Sequence, residues 1–295
     1  MAETAIGRAR PQDHRWIRQV WRFLRNWPVL PVVILVVLVV PSILGPLIAP
    51  YNAVEGDTLY RLAPPFDAQH WLGTDHVGRD ILSRMILGGR VTIMVAVVSM
   101  VSGFVVGTAL GIVAGYVGGI TDEIITRAVD IWQSLPFLMV ALVVVQVMGQ
   151  TLTVLLALLA LLAWSPFVRV IRGQVLSLKE MDYVALARIA GASPVWLMWR
   201  HMFPGVLNTA AVVASLRVGQ LILAEATLSF LGAGIPPPTP SWGVMVSEGR
   251  DYVASAWWAT VFPGAAICLI VMSMNFLGDW LRDKLDPRLR QLGAA

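Results

Sequence analysis

An all-α membrane protein with six transmembrane helices is the fold class that this sequence predicts, and three observations predict it. Hydrophobic residues make up 57% of the 295 positions. Charged residues make up only 14%, against about a quarter in a soluble domain, which leaves too little polar surface to face water. The uncharged stretches are also long enough to cross a bilayer, which takes about 20 apolar residues in a helix. They run over 26–54, 91–121, 131–168, 201–216 and 252–278, the fourth continuing past Arg217 to Ala224.

Residues 1–28 carry six arginines against two acids and read as a basic cytoplasmic segment ahead of the first span, 29–49. A secretory leader does not fit, because the apolar core is too long and ends in "GPLIAPYN" without a small-x-small cleavage site. A polar external loop, 50–90, contains "GTDHVGRD". A membrane-embedded core occupies 91–281, with spans two and three at 91–115 and 124–148. The run 131–168 is too long for one helix and is interrupted by "MGQT" at 148–151, so a tight hairpin leads to span four at 152–172. Spans five and six, 206–231 and 257–280, are separated by the external loop 232–256. That loop opens with "IPPPTPSWG", a stiff extended segment that cannot continue a helix. It either packs on its own spans or shapes an entrance. The tail, 282–295, continues the sixth helix until Asp286-Pro287 stops it.

Orientation is read from Lys and Arg, which collect on the cytoplasmic side. The tail has Arg282, Lys284, Arg288 and Arg290, and 166–209 has five basic residues against two acids. The loop 50–90 has four basic residues against five acids, and 232–256 has only Arg250. Both termini and the segment 177–205 are therefore expected inside.

That segment, "SLKEMDYVALARIAGASPVWLMWRHMFPG", is unusually apolar for an aqueous loop. Ser177 with Glu180 has the spacing of a capping box, which predicts a short helix from Leu178. Gly191 supplies a left-handed stop, and Ser193 caps a second helix with Pro194 at its first position. Pro204 and Gly205 are expected to end it. Val195, Met198, Trp199 and Met202 fall on one helical stripe, and Trp196, Arg200 and Phe203 on its neighbour. Two short helices that are apolar on several sides need either lipid headgroups or a partner protein to cover them.

Several chemistries are excluded. One cysteine, Cys268 inside an apolar run, permits no internal disulfide or cysteine-rich metal site and reads as a core residue. The two lysines, Lys179 and Lys284, follow no glycine, so no phosphate-cradling loop exists, and His-Glu-x-x-His is missing too. His70, Asp75, His76 and Asp80 match no ligand spacing and lie among Arg79 and Arg84, so no metal site is expected. Instead Thr74 or Asp75 should cap a short helix, with Asp80 and Arg84 an i,i+4 pair. Its apolar residues Ile81, Leu82, Met85 and Ile86 should rest at the outer interface. No catalytic cluster is visible, and neither a cofactor nor nucleic acid is implied.

The pattern "YVALARIAG…RHMFP" resembles the EAA loop of ATP-binding-cassette importer permeases, Glu-Ala-Ala, three residues, Gly, nine residues, Ile-x-Leu-Pro. Gly191 and Pro204 keep the spacing and Ala187 matches the second Ala. Ala185 and Leu186 stand where Glu and the first Ala would be, with His201 and Phe203 at the Ile and Leu positions. Glu180 or Asp182 could supply the missing carboxylate. "HWLGTDHVGRDILSRMILGGR", "ILAEATLSFLGAGIPPPTPSWGVMVSEGRDY" and "NFLGDWLRDKLDPRLR" are similar to the C-type permeases of dipeptide and oligopeptide importers, so the resemblance spans about 50–290.

The resemblance implies the type I importer permease fold, in the bacterial inner membrane. It also implies a heterodimer with a second homologous permease, two ATPase subunits gripping the EAA loops, an external binding protein, and a peptide as cargo. Ala185, Ala187, Gly191, Ser193, Pro194, Trp199, Arg200, His201 and Pro204 become the ATPase-coupling candidates. Nickel chelates, glutathione and haem are carried by similar machinery.

In the fifth span Arg217 and Glu225 interrupt the hydrocarbon and are the candidates for the translocation path. Arg217 lies near mid-membrane, where an arginine should not face lipid. Glu225 lies near the outer boundary, where it also serves to fix the helix end. An ATP-independent secondary transporter or channel would have to couple through these two residues, and no inverted repeat supports it.

Overall fold

Residues 28–285 are described by a computed structural model, and every regular element among them is helical. The basic N-terminal segment, apart from Pro28, and the stop at Asp286-Pro287 lie outside the described residues. Five helices are long and apolar enough to cross a membrane, and a bent pair, counted as one broken crossing, makes six.

Helix α1 (Val29–Ile48) begins behind Pro28 and buries only Ser42 and Gly45. Gly45 lets it sit against Ile86 and Leu87 of the next helix, while Val33, Val36, Val37 and Leu47 point outward, as lipid requires.

Helix α2 (Ile81–Val117) starts ten residues before the predicted span. Asp80 is its N-cap, its carboxylate accepting from the Ser83 N–H at 2.8 Å. Its 37 residues reach about 55 Å at 1.5 Å per residue, so the charged first turns stand clear of the hydrocarbon. The expected short helix capped by Thr74 or Asp75 does not form. Ile81, expected at an interface, is fully buried.

The predicted third span is broken. Helix α3 (Gly119–Ser134) and α4 (Phe137–Met148) meet at 83°. Pro136 cannot donate to the helical ladder and forces Leu135 to extended angles, φ −85° and ψ 132°.

Helix α5 (Leu152–Leu178) is capped by the Thr151 hydroxyl on the Val154 N–H. It runs parallel to α2, and the contact is built on glycine at every fourth position. Gly103 meets Ala163, Gly107 meets Trp164 and Phe167, Gly111 meets Ile171, and Gly115 meets Val175. Small residues at this spacing let two membrane helices approach backbone to backbone. The stripe is displayed by "GFVVGTALGIVAG", but its meaning depends on the helix that lies against it.

Beyond α5 come α6 (Asp182–Ile189) and α7 (Pro194–Leu197). A π turn over Met198–Met202 then joins α7 to α8 (Phe203–Phe230). Helix α9 (Trp242–Gly249) and α10 (Trp258–Leu285) complete the described chain. Residues 49–80 and 231–257 form a cap at one end of the bundle. The knob, 179–202, stands at the other. At the cap, Gln150 ties the α4–α5 hairpin to the carbonyl of Gly234, 3.2 Å away.

Two knob expectations are corrected. Ser177 and Leu178 belong to α5, and α6 begins at Asp182 with no side-chain cap. The α5 helix runs into the capping-box sequence, as far as Leu178, with Val175 buried against the bundle. Pro204 and Gly205 do not end the second helix, since Pro194–Phe230 is one rod. The π turn explains this: the Phe203 N–H bonds the Met198 carbonyl, five residues back. The widened turn accommodates the Pro204 ring that an α-turn would clash with.

Candidate functional site

The knob is built from a few local choices. Gly191 sits at φ +88°, a left-handed turn that reverses the chain between α6 and α7. The Ser193 hydroxyl accepts from the Trp196 N–H, with Pro194 at the first helical position, both as the sequence predicts. Val184, Leu197 and Met202 anchor the knob in a cluster with Ile112, Ile171 and Val175 of the bundle.

The expected stripe is divided between two surfaces. Met202 is buried, whereas Val195 and Trp199 are each 71% exposed. The extra residue in the π turn rotates the residues beyond it, so one stripe cannot stay on one face. Trp199 stacks on Phe203 with ring centroids 5.0 Å apart. His201 lies between Tyr183 and Trp196, at 5.5 and 5.2 Å, and bridges the two short helices. Leu186, Ile189, Val195, Trp196 and Trp199 are exposed around Ala185, Arg188 and Arg200, while Ala187 packs inward. Glu180 and Asp182 border this surface.

At mid-bundle Arg217 lines a cavity of ≈ 340 Å³ against the α3–α4 bend, together with Trp132, Gln133, Leu135 and Ser165. The Gln133 amide donates to the Ser165 hydroxyl at 3.1 Å, and Arg217 donates to Gln220 on its own helix. The acids on α3 nearby are already engaged, Asp130 with Arg169 at 2.7 Å and Asp122 with Arg172 at 2.6 Å. Arg217 has no carboxylate partner among the described residues. Its neighbours in the cavity went unforeseen, although "WQSLP" marks a polar, proline-bearing interruption in an uncharged run.

Glu225 does not share that cavity. It is fully buried and accepts from the hydroxyls of Ser229 at 2.7 Å and Ser241 at 3.1 Å, holding the end of α8 to the start of α9.

The cap is latched by a buried ionic network. Asp75 accepts from the N–H groups of Val77 and Arg79, both at 2.9 Å, from Arg79 Nε at 2.6 Å, and from Arg84. Glu248 of α9 closes the set, 3.0 Å from Arg79 and 2.7 Å from Arg84. The expected Asp80–Arg84 pair is absent because Asp80 caps α2 and meets His70 Nδ1 at 3.0 Å. Burial pushes the Asp75 carboxyl up, but Arg84, the Arg79 N–H and the Arg79 guanidinium outweigh it and hold the group below its ordinary value. His76 stacks on Tyr252, away from His70, and no metal-ligating group of three converges among the described residues.

Residues 107–291 match the family described as binding-protein-dependent transport system inner membrane component. The glutathione transport system permease protein GsiD of Pectobacterium atrosepticum is 37% identical over 275 residues, covering 92% of this chain and 91% of that protein. The oligopeptide transport system permease protein OppC of Haemophilus influenzae is 36% identical, covering 91% and 87%. The dipeptide transport system permease protein DppC of Bacillus subtilis is 37% identical, covering 88% and 81%. Among solved structures, the MetNI methionine ABC transporter in an inward-facing conformation has a chain that aligns with TM-score 0.54 and 19% identity. The match covers 69% of this chain and 96% of that one, and it shows a shared fold.

Proposed function

This chain belongs to the family of binding-protein-dependent transport system inner membrane components, and we propose that it imports peptides as one half of a two-permease path. It is a permease subunit of an ABC importer and a multi-pass protein of the bacterial inner membrane. In the proposed arrangement a second homologous permease completes the path and two cytoplasmic ATPases grip the knobs. An external binding protein delivers cargo at the cap. ATP hydrolysis resides in the partner subunits. Both termini and the knob face the cytoplasm, in keeping with the Lys/Arg bias.

The observation that carries this reading is the knob itself, an apolar surface with Val195 and Trp199 exposed at the end of a membrane bundle. Because Pro194–Phe230 is one rod, a push on the knob moves Arg217, roughly 35 Å along the same helix, without a hinge between them. Closure of the ATPases on ATP would thereby tilt α8 and switch access to the path. Ala185, Ala187, Gly191, Ser193, Pro194, Trp199, Arg200, His201 and Pro204 form or support the docking surface, and Arg217 lines the path. Glu225 sets the outer end of α8 from within the packing. Peptide cargo is favoured by the oligopeptide, dipeptide and glutathione transport named for the relatives, glutathione being itself a tripeptide.

The orientation is testable with single cysteines at Gln69 and Ala192 in a Cys268→Ser background. A membrane-impermeant thiol reagent added to whole cells should label the first and spare the second. Labelling at Ala192 from outside would remove the ATPase docking surface from the cytoplasm and end this reading.

A further inference from the structure

We propose that the cavity at the α3–α4 bend is a transient cargo subsite in which Arg217 receives the carboxylate of a passing peptide. The proposal rests on the importer reading above and adds to it a place and a chemistry for the cargo. A guanidinium near mid-membrane is costly unless something neutralises or solvates it. Among the described residues its hydrogen-bond acceptor is the Gln220 side chain, and Asp122 and Asp130 are committed to Arg172 and Arg169. Glu225 is turned into the cap-side packing. Arg217 therefore presents uncompensated positive charge to a ≈ 340 Å³ space, large enough for part of a peptide and small enough to hold it.

The rest of the lining suits that occupant. Gln133 and Ser165 already bond each other and offer further donor and acceptor capacity for a peptide group. Trp132, Leu135 and Phe137 provide apolar wall for side chains of varied shape. The bend at Pro136 opens this space, and Arg217 rides on the rod that ends in the knob. A tilt of the rod would displace the guanidinium from the bend and release the carboxylate. Arginine is suited to that grip, because its planar fork can bind a carboxylate through two parallel hydrogen bonds.

The test uses the complete importer, with both permeases and the ATPases, in lipid nanodiscs. The probe is a tripeptide carrying a benzophenone, made as the free acid and as the C-terminal amide. On illumination the free acid is expected to label 132–137 or the Arg217 region roughly tenfold more than the amide, the scale of a charge-assisted hydrogen bond. Arg217→Met should bring the acid down to the level of the amide, and Arg217→Lys, which keeps the charge but loses the two-bond fork, should fall between the two. Equal labelling by acid and amide in the unaltered complex overturns the proposal, as does labelling confined elsewhere or absent. If Arg217→Met fails to assemble, the acid-to-amide comparison on the unaltered complex decides. ATP-dependent uptake of the acid peptide by the same complex is measured in parallel. Uptake with equal labelling removes the subsite and leaves the importer reading standing, whereas absence of uptake removes both.

Discussion

Arg84→Met is expected to unlatch the cap and destabilise the protein by about 3–5 kcal/mol, the cost of stranding buried charge when one partner of an ion network is removed. Arg84 is among the largest fully buried side chains and meets both Asp75 and Glu248, so its loss leaves two carboxylates sharing Arg79. The network joins residues 75–84 to α9, and Trp258 adds a hydrogen bond to the Thr74 carbonyl at 3.1 Å. Faster amide exchange or proteolysis confined to 49–80 and 241–252 is the expected signature. The same network sets a pH dependence. The Asp75 carboxyl is held below its ordinary value in the folded protein, so its stabilising share is present above the ordinary carboxylate range. That share is lost as pH falls through the depressed folded value. Acid should therefore loosen the unaltered cap in that window. An Arg84→Met cap as resistant to exchange as the original would refute the latch.

Gly107→Val is expected to prevent stable packing of α2 on α5. A Cβ at Gly107 would lie 2.4 Å from the Trp164 carbonyl oxygen and 2.6 Å from the Phe167 Cβ, and the first of these is backbone that cannot swing aside. Overpacking of this kind costs about 1–3 kcal/mol and more where backbone must shift, and Gly103, Gly111 and Gly115 share the same seam. Gly173→Val is the control, because nothing lies within 4 Å of its Cβ position. Detergent-extracted Gly107→Val should aggregate on size exclusion while Gly173→Val elutes as the unaltered protein does. Identical profiles would mean that the glycine stripe is not the seam of the bundle.

These two features were the least legible in the sequence, for the same physical reason. A run of small residues and a scatter of mixed charges acquire meaning only when another segment lies against them. Glu248 is one of two acids in the loop 232–256, and only the fold brings it, 169 positions along the chain, to Arg79. Charges also hid the start of α2, since Asp80 and Arg84 read as part of a separate short helix, whereas Ile81–Val117 is one helix whose first turns stand beyond the hydrocarbon. The sequence displayed well the chemistry that acts locally or through the solvent. Val29–Ile48 had to be a span because only lipid accepts such a surface. Gly191, Ser193 and Pro194 each do in the structure what their backbone preferences require. Proline departs from its simple rule in both directions. Pro136 broke a helix that the uncharged run concealed, and Pro204 was absorbed by a π turn where a stop was expected. Arg217 stood out as a charge in hydrocarbon, yet its cavity depended on the unforeseen bend.

The knob is proposed to couple partner ATPases to peptide movement through this chain. The most direct test of that coupling is reconstitution of the chain with its second permease and ATPases in liposomes, with labelled peptide and binding protein outside and ATP inside. Gly191→Val is assayed beside the unaltered protein. Its φ of +88° strains any β-branched residue by about 1 kcal/mol or more, while the surrounding space is open, so the knob is altered and the bundle spared. Coupling through the knob predicts uptake that requires internal ATP in the unaltered complex, and in Gly191→Val a membrane-inserted permease that releases the ATPases or hydrolyses ATP without moving peptide. Peptide uptake driven by an ion gradient without ATP, or ATP-driven uptake undiminished by Gly191→Val, would contradict it.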